Sequence, residues 1–323
     1  MTARTSGVLP AGLAEAIRGT AEDIAAVLRT AAGPEGEPRR RSEAGGGARS
    51  EAGGGSPGEA GGGSPGGGRA AGETAPGGAG PGGAGHGGGL PVPRSTWTVG
   101  EAAAHLAQAN ALMAELAAGH ERPYGDGTPG SLAEANERAL AGFAERAPGP
   151  LAEMITAQAA AFLDAVEERD PDEPLATPLG GMNPAVLGSY LLTHMLGHGY
   201  DLARALRRPH MVDAHRVELG MPFMIQVMPR VTDPDAVAGL TAAFAVRLRG
   251  GSGFGVTITD GLVRVAPEPP ARPDCRILTE PVTFLLLALG RIDPWPAIAR
   301  GRALGWGRKP WLAPRFPTLF RAP

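Results

Sequence analysis

Between residues 33 and 90 the chain carries almost no large apolar side chains. Glycine, proline, serine, alanine and glutamate dominate, and an imperfect repeat (SEAGGG, SEAGGG, GEAGGGSPG) runs through the middle. Such a stretch cannot bury enough apolar surface to offset the entropy lost on ordering, so it is expected to be a disordered insertion at 33–90. Any fold must therefore be assembled from a short segment before the tract and a long one after it. His86, inside the tract, reads as an incidental linker residue rather than a ligand.

The flanking segments are helical in pattern. Leu13, Ile17, Ile24, Val27 and Leu28 recur at helical spacing, so residues 10–31 form a first amphipathic helix. Thr98-Val99-Gly100-Glu101 has the form of a capping box, in which hydroxyl and carboxylate each satisfy an orphan backbone donor, and a second helix runs from there to about Gly119. Ser131 to Glu134 reads as another box. Pro150 reads as the first residue of the segment bearing Leu151, Ile155, Phe162 and Val166, giving a third helix broken near Pro148. Asn183-Pro184 is an N-cap and first-turn pair that opens a fourth helix over 184–207.

From about 236 the texture changes. AAFAVRLRG, GFGVTITDG and LVRVAP alternate and are rich in β-branched residues, with glycine or aspartate turns between them, which predicts antiparallel strands. A helical pattern follows at Pro281–Leu289, and the order fits a small α+β domain. The reading is α+β with two domains: an antiparallel four-helix bundle at 8–210 interrupted by the 33–90 insertion, a connecting helix at 211–235, and an α+β domain at 236–323.

Charge and composition narrow the function. Thirty basic and 33 acidic residues are spread along 323 residues, leaving a net charge of −3 and no basic stripe for a phosphate backbone, so nucleic acid is not an expected partner. The longest apolar run, Val282–Leu289, is far below the roughly 20 residues that span a bilayer. A lone cysteine, Cys275, cannot make an internal disulfide, and the first residues lack a basic start followed by an apolar run. These features predict a cytoplasmic protein with no membrane partner.

The chemistry gathers on three histidines. His194 and His198 stand four residues apart on one helical face, about 6 Å between Cβ atoms, so both imidazoles can reach one ion. They share a stripe with Leu187, Leu191, Asp201 and Ala205, the face that points into a bundle; His105 lies in register with Ala109, Leu112 and Leu116 on the second helix. Any one of these histidines is explained equally well as a satisfied core or surface residue. Together they form a ligand set for a divalent metal, zinc in the first instance, with a fourth position open as in a catalytic rather than a structural site. Asp201 reads either as a partner orienting a ligand imidazole or as an ordinary salt-bridging residue. His120, His210 and His215 read as exposed residues, and Cys275 as a buried small hydrophobe.

The stretch Trp97-Thr98-Val99-Gly100-Glu101 leading to His105-Leu106-Ala107, with the later His194-x-x-x-His198-Gly199-Tyr200-Asp201-Leu202-Ala203-Arg204-Ala205, resembles the mycothiol-dependent maleylpyruvate isomerase family. The resemblance covers residues 8–32 and 90–207 and implies a DinB-like four-helix metal-binding domain. The chain from about 236 on, including Pro270 to Cys275 and Trp306-Gly307-Arg308, resembles the SCP2-like domain often fused to it. By position, the family's metal ligands fall on His105, His194 and His198. His194 departs from the isomerase pattern, which has a glutamate there, whereas three histidines are usual among other DinB-like proteins; a neutral ligand leaves the ion more electrophilic.

The resemblance implies mycothiol as thiol cosubstrate, activated as thiolate on the ion, and a small electrophilic substrate. Addition to a cis double bond, rotation and elimination would make an isomerase, and simple transfer an S-transferase. An anionic substrate would need a cationic clamp, for which Arg247, Arg249, Arg272 and Arg276 are available without one standing out. The alternative is a non-catalytic small-molecule or lipid binder acting through the SCP2-like domain, with a structural metal. A metal-dependent hydrolase ranks below both, because Asp201 is the one acid on the ligand stripe and lies about a turn from His198.

Overall fold

The computed structural model describes residues 8–32, 87–120 and 122–321. The expected loop at 33–90, with His86, falls outside these residues except for its last four positions. Helix α1 (Leu13–Arg29) is followed by α2 (Val99–Ala117), α3 (Pro129–Ala141), α4 (Pro148–Glu167) and α5 (Pro184–Ala205). Four of these are long, and α4 and α5 each pack against both α1 and α2, so α1 and α2 occupy opposite corners of a bundle.

The caps explain where the helices start. Thr98 accepts from the Glu101 amide while the Glu101 carboxylate accepts from the Thr98 amide at 2.7 Å, so the expected box is present. Asn183 caps α5 through the Val186 amide, with Pro184 just inside. The other two expected starts are corrected. The cap of α3 is Thr128, whose hydroxyl accepts from the Ser131 amide, and Ser131 lies inside the helix. Helix α4 opens at Pro148, not Pro150, with Ala147 in extended conformation before it. The expected broken third helix is thus two helices, with proline doing at 148 what it does at any first turn: giving up an amide that has no partner there anyway.

After the bundle come α6 (Ala214–Val227) and the single turn α7 (Pro234–Val237), then strands β1 (Ala242–Leu248), β2 (Gly253–Thr259), β3 (Leu262–Ala266) and β4 (Cys275–Thr279), helices α8 (Pro281–Ala288) and α9 (Pro294–Ala299), and strand β5 (Ala303–Gly307). The sheet order is β3-β2-β1-β4-β5. The first three strands form the expected antiparallel meander, β4 runs parallel to β1, and β5 returns antiparallel to β4.

Alternation decides which sheet face is covered. Phe244, Val246 and Leu248 of β1 stand beside Val256 and Phe254 of β2 and Ile277 of β4, all buried on one face. Phe284 of α8 meets Phe254 edge-on at 5.7 Å, and Phe316 in the tail packs on Phe244 at 5.0 Å. No helix among the described residues is long and apolar enough to cross a membrane.

The bundle core is built on fully buried side chains, among them Ile17, Leu106, Ile155 and Phe162. Phe162→Ala leaves a cavity that the close-packed helices cannot fill, and is expected to cost about 3–5 kcal/mol of unfolding free energy. Urea titration followed by circular dichroism checks this; a loss below about 1 kcal/mol would contradict the packing around α4.

Candidate metal centre

Helix α2 brings His105 into the bundle and α5 brings His194 and His198, one turn apart. One nitrogen or more from each of the three rings lies within 4.8 Å of the others, with no carboxylate in the group. The His105 and His194 Nε2 atoms face each other at 3.3 Å. The ring of His198 stands 4.9 Å from that of His105 and 4.6 Å from that of His194, centroid to centroid.

Burial sets the protonation state. It pushes the His105 imidazole down to about 4. His194 and His198 are held well below the ordinary histidine range, first by burial, then by their histidine neighbours and the Arg291 guanidinium. All three rings are therefore neutral near pH 7, the state in which imidazole donates a lone pair. Two Nε2 atoms at 3.3 Å can share one proton at most, and the buried Nδ1 of His194 has no hydrogen-bond partner among the described residues. A histidine cluster satisfied from within would not leave these nitrogens short of partners; three convergent neutral nitrogen donors fit a zinc-type cation.

The walls come from the turn before α2 and from α5 itself. The turn is closed by the Val92 amide donating to the Trp97 carbonyl at 2.9 Å, and it lays the Trp97 indole 4.8 Å from His105 and 6.2 Å from His198. On the other side Tyr190 stands edge-on to His194 at 6.3 Å and stacks on Phe223 at 4.2 Å. Burial pushes its phenol up to about 12, so it stays protonated.

Asp201 lies between both readings made of it. Its Oδ2 is 3.9 Å from His198 Nδ1, within ionic reach but too long for a hydrogen bond. Its carboxylate is taken by Arg291, which donates from Nε to both oxygens (3.1 and 3.0 Å) and from Nη2 to Oδ2 (2.7 Å). Arg291 is aimed by the end of α8. Gly290, at φ +68°, lets its own amide reach the Leu287 carbonyl and the Arg291 amide reach that of Leu286, the double bond that reverses a chain after a helix. No sequence signal pairs Arg291 with Asp201, 90 residues away.

A cleft of about 570 Å³ opens beside the cluster, with His198, Trp97, Asp201 and Arg291 in its wall. The arginines that line it are Arg94, Arg204, Arg291, Arg300 and Arg302. Arg247, Arg249, Arg272 and Arg276 are exposed elsewhere and none lines the cleft. His120, His210 and His215 are exposed as expected. Cys275 is buried, and burial with the neighbouring Asp274 pushes its thiol up to about 11, which removes it as a nucleophile near neutral pH.

The architecture is a DinB-like helical domain followed by an SCP2 domain. Residues 89–203 match the family model described as mycothiol maleylpyruvate isomerase N-terminal domain, and residues 226–303 that of the SCP-2 sterol transfer family. No curated protein sequence matches the chain. Among solved structures, a mycothiol-dependent maleylpyruvate isomerase is 15% identical, with 64% of this chain and 79% of that one covered and a TM-score of 0.35. A histidine-to-alanine mutant of that enzyme is 13% identical over 68% of this chain and 82% of that one, with a TM-score of 0.38. A stereoselective inverting sec-alkylsulfatase from Pseudomonas sp. is 16% identical over 53% of this chain, with a TM-score of 0.28, and the chain spans 24% of its length.

Neutral burial of His105 has a measurable consequence in chelator-treated protein. Its folded-state pKa, about 4, lies below the unfolded value of 6.5, so its contribution is complete above 6.5 and is lost as pH falls through about 4. The loss is roughly 3 kcal/mol. The stability difference between parent and His105→Leu, from urea titrations stepped across that window, should shift by this amount against the parent. A difference that stays constant with pH would show that the ring is not held neutral.

Proposed function

We propose that this chain is a metal-dependent enzyme of the mycothiol-dependent maleylpyruvate isomerase type, in which His105, His194 and His198 hold one divalent ion, zinc in the first instance. The observation that carries the reading is the convergence of three neutral imidazoles within 4.8 Å, without a carboxylate, beside an open cleft. A cation bound there would supply the positive charge that lowers the pKa of a thiol placed against it, so that thiolate predominates near neutral pH.

The remaining work falls to the chain's own side chains. Trp97 packs along the flank of His105 and His198, and burial of the rings between α2 and α5 keeps the imidazoles from protonating. Asp201, held by Arg291, faces His198 Nδ1 and favours the tautomer with its proton on that side, leaving the other nitrogen for the cluster. Mycothiol is the thiol cosubstrate in this reading, and a small electrophile the partner, for cis–trans isomerisation or S-transfer. Residues 8–210 form the ion-binding part, 211–235 the connection and 236–323 the second part.

The competing reading, a lipid or small-molecule binder acting through the second part, has a cavity in its favour, lined by Phe223, Met228, Val246, Phe284, Phe316 and others. At about 80 Å³ it falls well below the roughly 300–1,000 Å³ of ordinary ligand sites.

Elemental analysis of parent, His105→Ala, His194→Ala and His198→Ala, with circular dichroism to check folding, tests the assignment. About one equivalent of zinc in the parent, lost in each folded variant, is expected for a three-ligand site. A folded parent that stays metal-free after incubation with zinc would sink it. Asp201→Asn should weaken zinc binding about 10–100-fold in competition with a chromophoric chelator, and unchanged affinity would reduce Asp201 to a salt-bridge partner of Arg291.

A further inference from the structure

We propose that the uncovered face of the five-stranded sheet is a docking surface for a second copy of this chain, which it takes by the acidic C-terminal end of α4. The contact joins two different patches, so it runs head to tail.

Alternation along the strands separates the two faces of the sheet. Val246 and Ile277 belong to the face that meets Phe223 of α6, Phe284 of α8 and Phe316 of the tail. On the other face the register sets Arg276 of β4 opposite Trp306 of β5, and Arg247 of β1 opposite Leu278, which stands opposite Leu304. Leu262 and Arg264 of β3 share that face. Arg247, Arg264 and Arg276 are exposed. So are Leu262 (71%), Leu304 (43%) and Trp306 (48%), three of the six large apolar side chains exposed among the described residues. A single exposed apolar side chain means little, but three on one flat face beside arginines have the make-up of an interface core, where tryptophan and arginine are enriched.

Charge selects the partner. From residue 236 to the end the chain carries twelve basic residues against five acidic ones, although its net charge is −3. Arg249 and Arg302 share Glu280, and Arg308 and Lys309 share Asp274, whereas Arg247, Arg264 and Arg276 form no ion pair among the described residues. The complement lies on the chain itself. Residues 164–173 hold six carboxylates and one arginine around the C-terminal end of α4. Glu173 pairs with Arg169, while Asp164, Glu167, Glu168, Asp170 and Asp172 are exposed and form no ion pair among the described residues. A helix C-terminus already carries partial negative charge and is stabilised by cations, so this end keeps a charge that a basic surface would neutralise. Pro171 and Pro174, exposed among the carboxylates, supply apolar rings to lie against Trp306 and Leu304.

Within one molecule α4 packs against α1 and α2, whereas the sheet meets the helices through α6, so the two patches sit on different elements and both stay open. They can meet between molecules. A docked copy still presents its own free patch to a third, so association continues past the dimer unless a ring closes.

The test is sedimentation velocity on the full chain over a wide range of concentration, at low and at high salt. At low salt the average mass should climb past that of a dimer, and high salt should weaken the association about tenfold or more. Arg247→Glu with Arg276→Glu on the sheet, and Glu167→Arg with Glu168→Arg on α4, should each weaken it about tenfold or more with unchanged circular dichroism. Trp306→Ala, which alters no charge, should weaken it by about the same factor. The sheet variant and the α4 variant each keep one intact patch, so the two mixed should form a heterodimer that grows no further. A parent that stays monomeric at low salt, or that associates equally well after either pair of charge reversals, would overturn the proposal. So would a mixture that forms no heterodimer, because a symmetric contact is then the one being made. A monomeric parent that co-sediments with vesicles of phosphatidylglycerol and phosphatidylcholine, and ceases to in Trp306→Ala, would give the face to an anionic bilayer and overturn the second copy as its occupant.

Discussion

Removing an imidazole from water disfavours its charged form, and three imidazoles buried between α2 and α5 are what the rest of the site is arranged around. The bundle provides the burial: α5 packs against both α1 and α2, so the face of α5 that carries His194 and His198 has to meet the one carrying His105. Two charged histidines at 3.3 Å would repel strongly in that setting. Neutral ones leave lone pairs pointed into a common space, and a cation is the partner that satisfies several lone pairs at once.

The sheet region is tied to this centre by a charge pair. Arg291 leaves the end of α8 and closes on Asp201, one turn beyond His198. Both side chains are largely removed from solvent, so neither can be deleted without stranding the other. The pair keeps the Asp201 carboxylate at a fixed distance behind His198, and the same segment forms one wall of the cleft. The SCP2 part of the chain thus contributes to the surface beside the histidine cluster, while its own apolar cavity is small. Its sheet is covered by Phe244, Phe254, Phe284 and Phe316, all buried and packed ring against ring.

The order of chemical labour in the cleft follows from the charges. Neutral nitrogen donors face one another at the cluster, and permanently charged guanidinium groups face the open space next to it. Arginine keeps its charge at any accessible pH, whereas these histidines give theirs up by burial. The two residue types therefore differ in what they can meet: neutral nitrogen donors suit a cation, and guanidinium groups suit an anion.

The sequence by itself determined what depends on local periodicity. Histidines at 194 and 198 must share a helical face; Thr98 with Glu101 and Asn183 with Pro184 mark helix starts through contacts within three residues; the alternation in 242–266 dictates a meander. Local signals misled where two candidates compete within a few residues: Thr128 took the cap expected of Ser131, and Pro148 the first turn expected of Pro150. Only the tertiary structure decided which charges meet. Arg291 with Asp201 and Arg94 with Gly290 join residues up to 196 positions apart, and the same packing brings Arg204 and Arg300 into one cleft wall with Arg94. An arginine reads the same in sequence whether it faces solvent, a carboxylate or a cleft, because its partner is chosen by how helices and sheet pack, and a one-dimensional pattern carries no record of that packing.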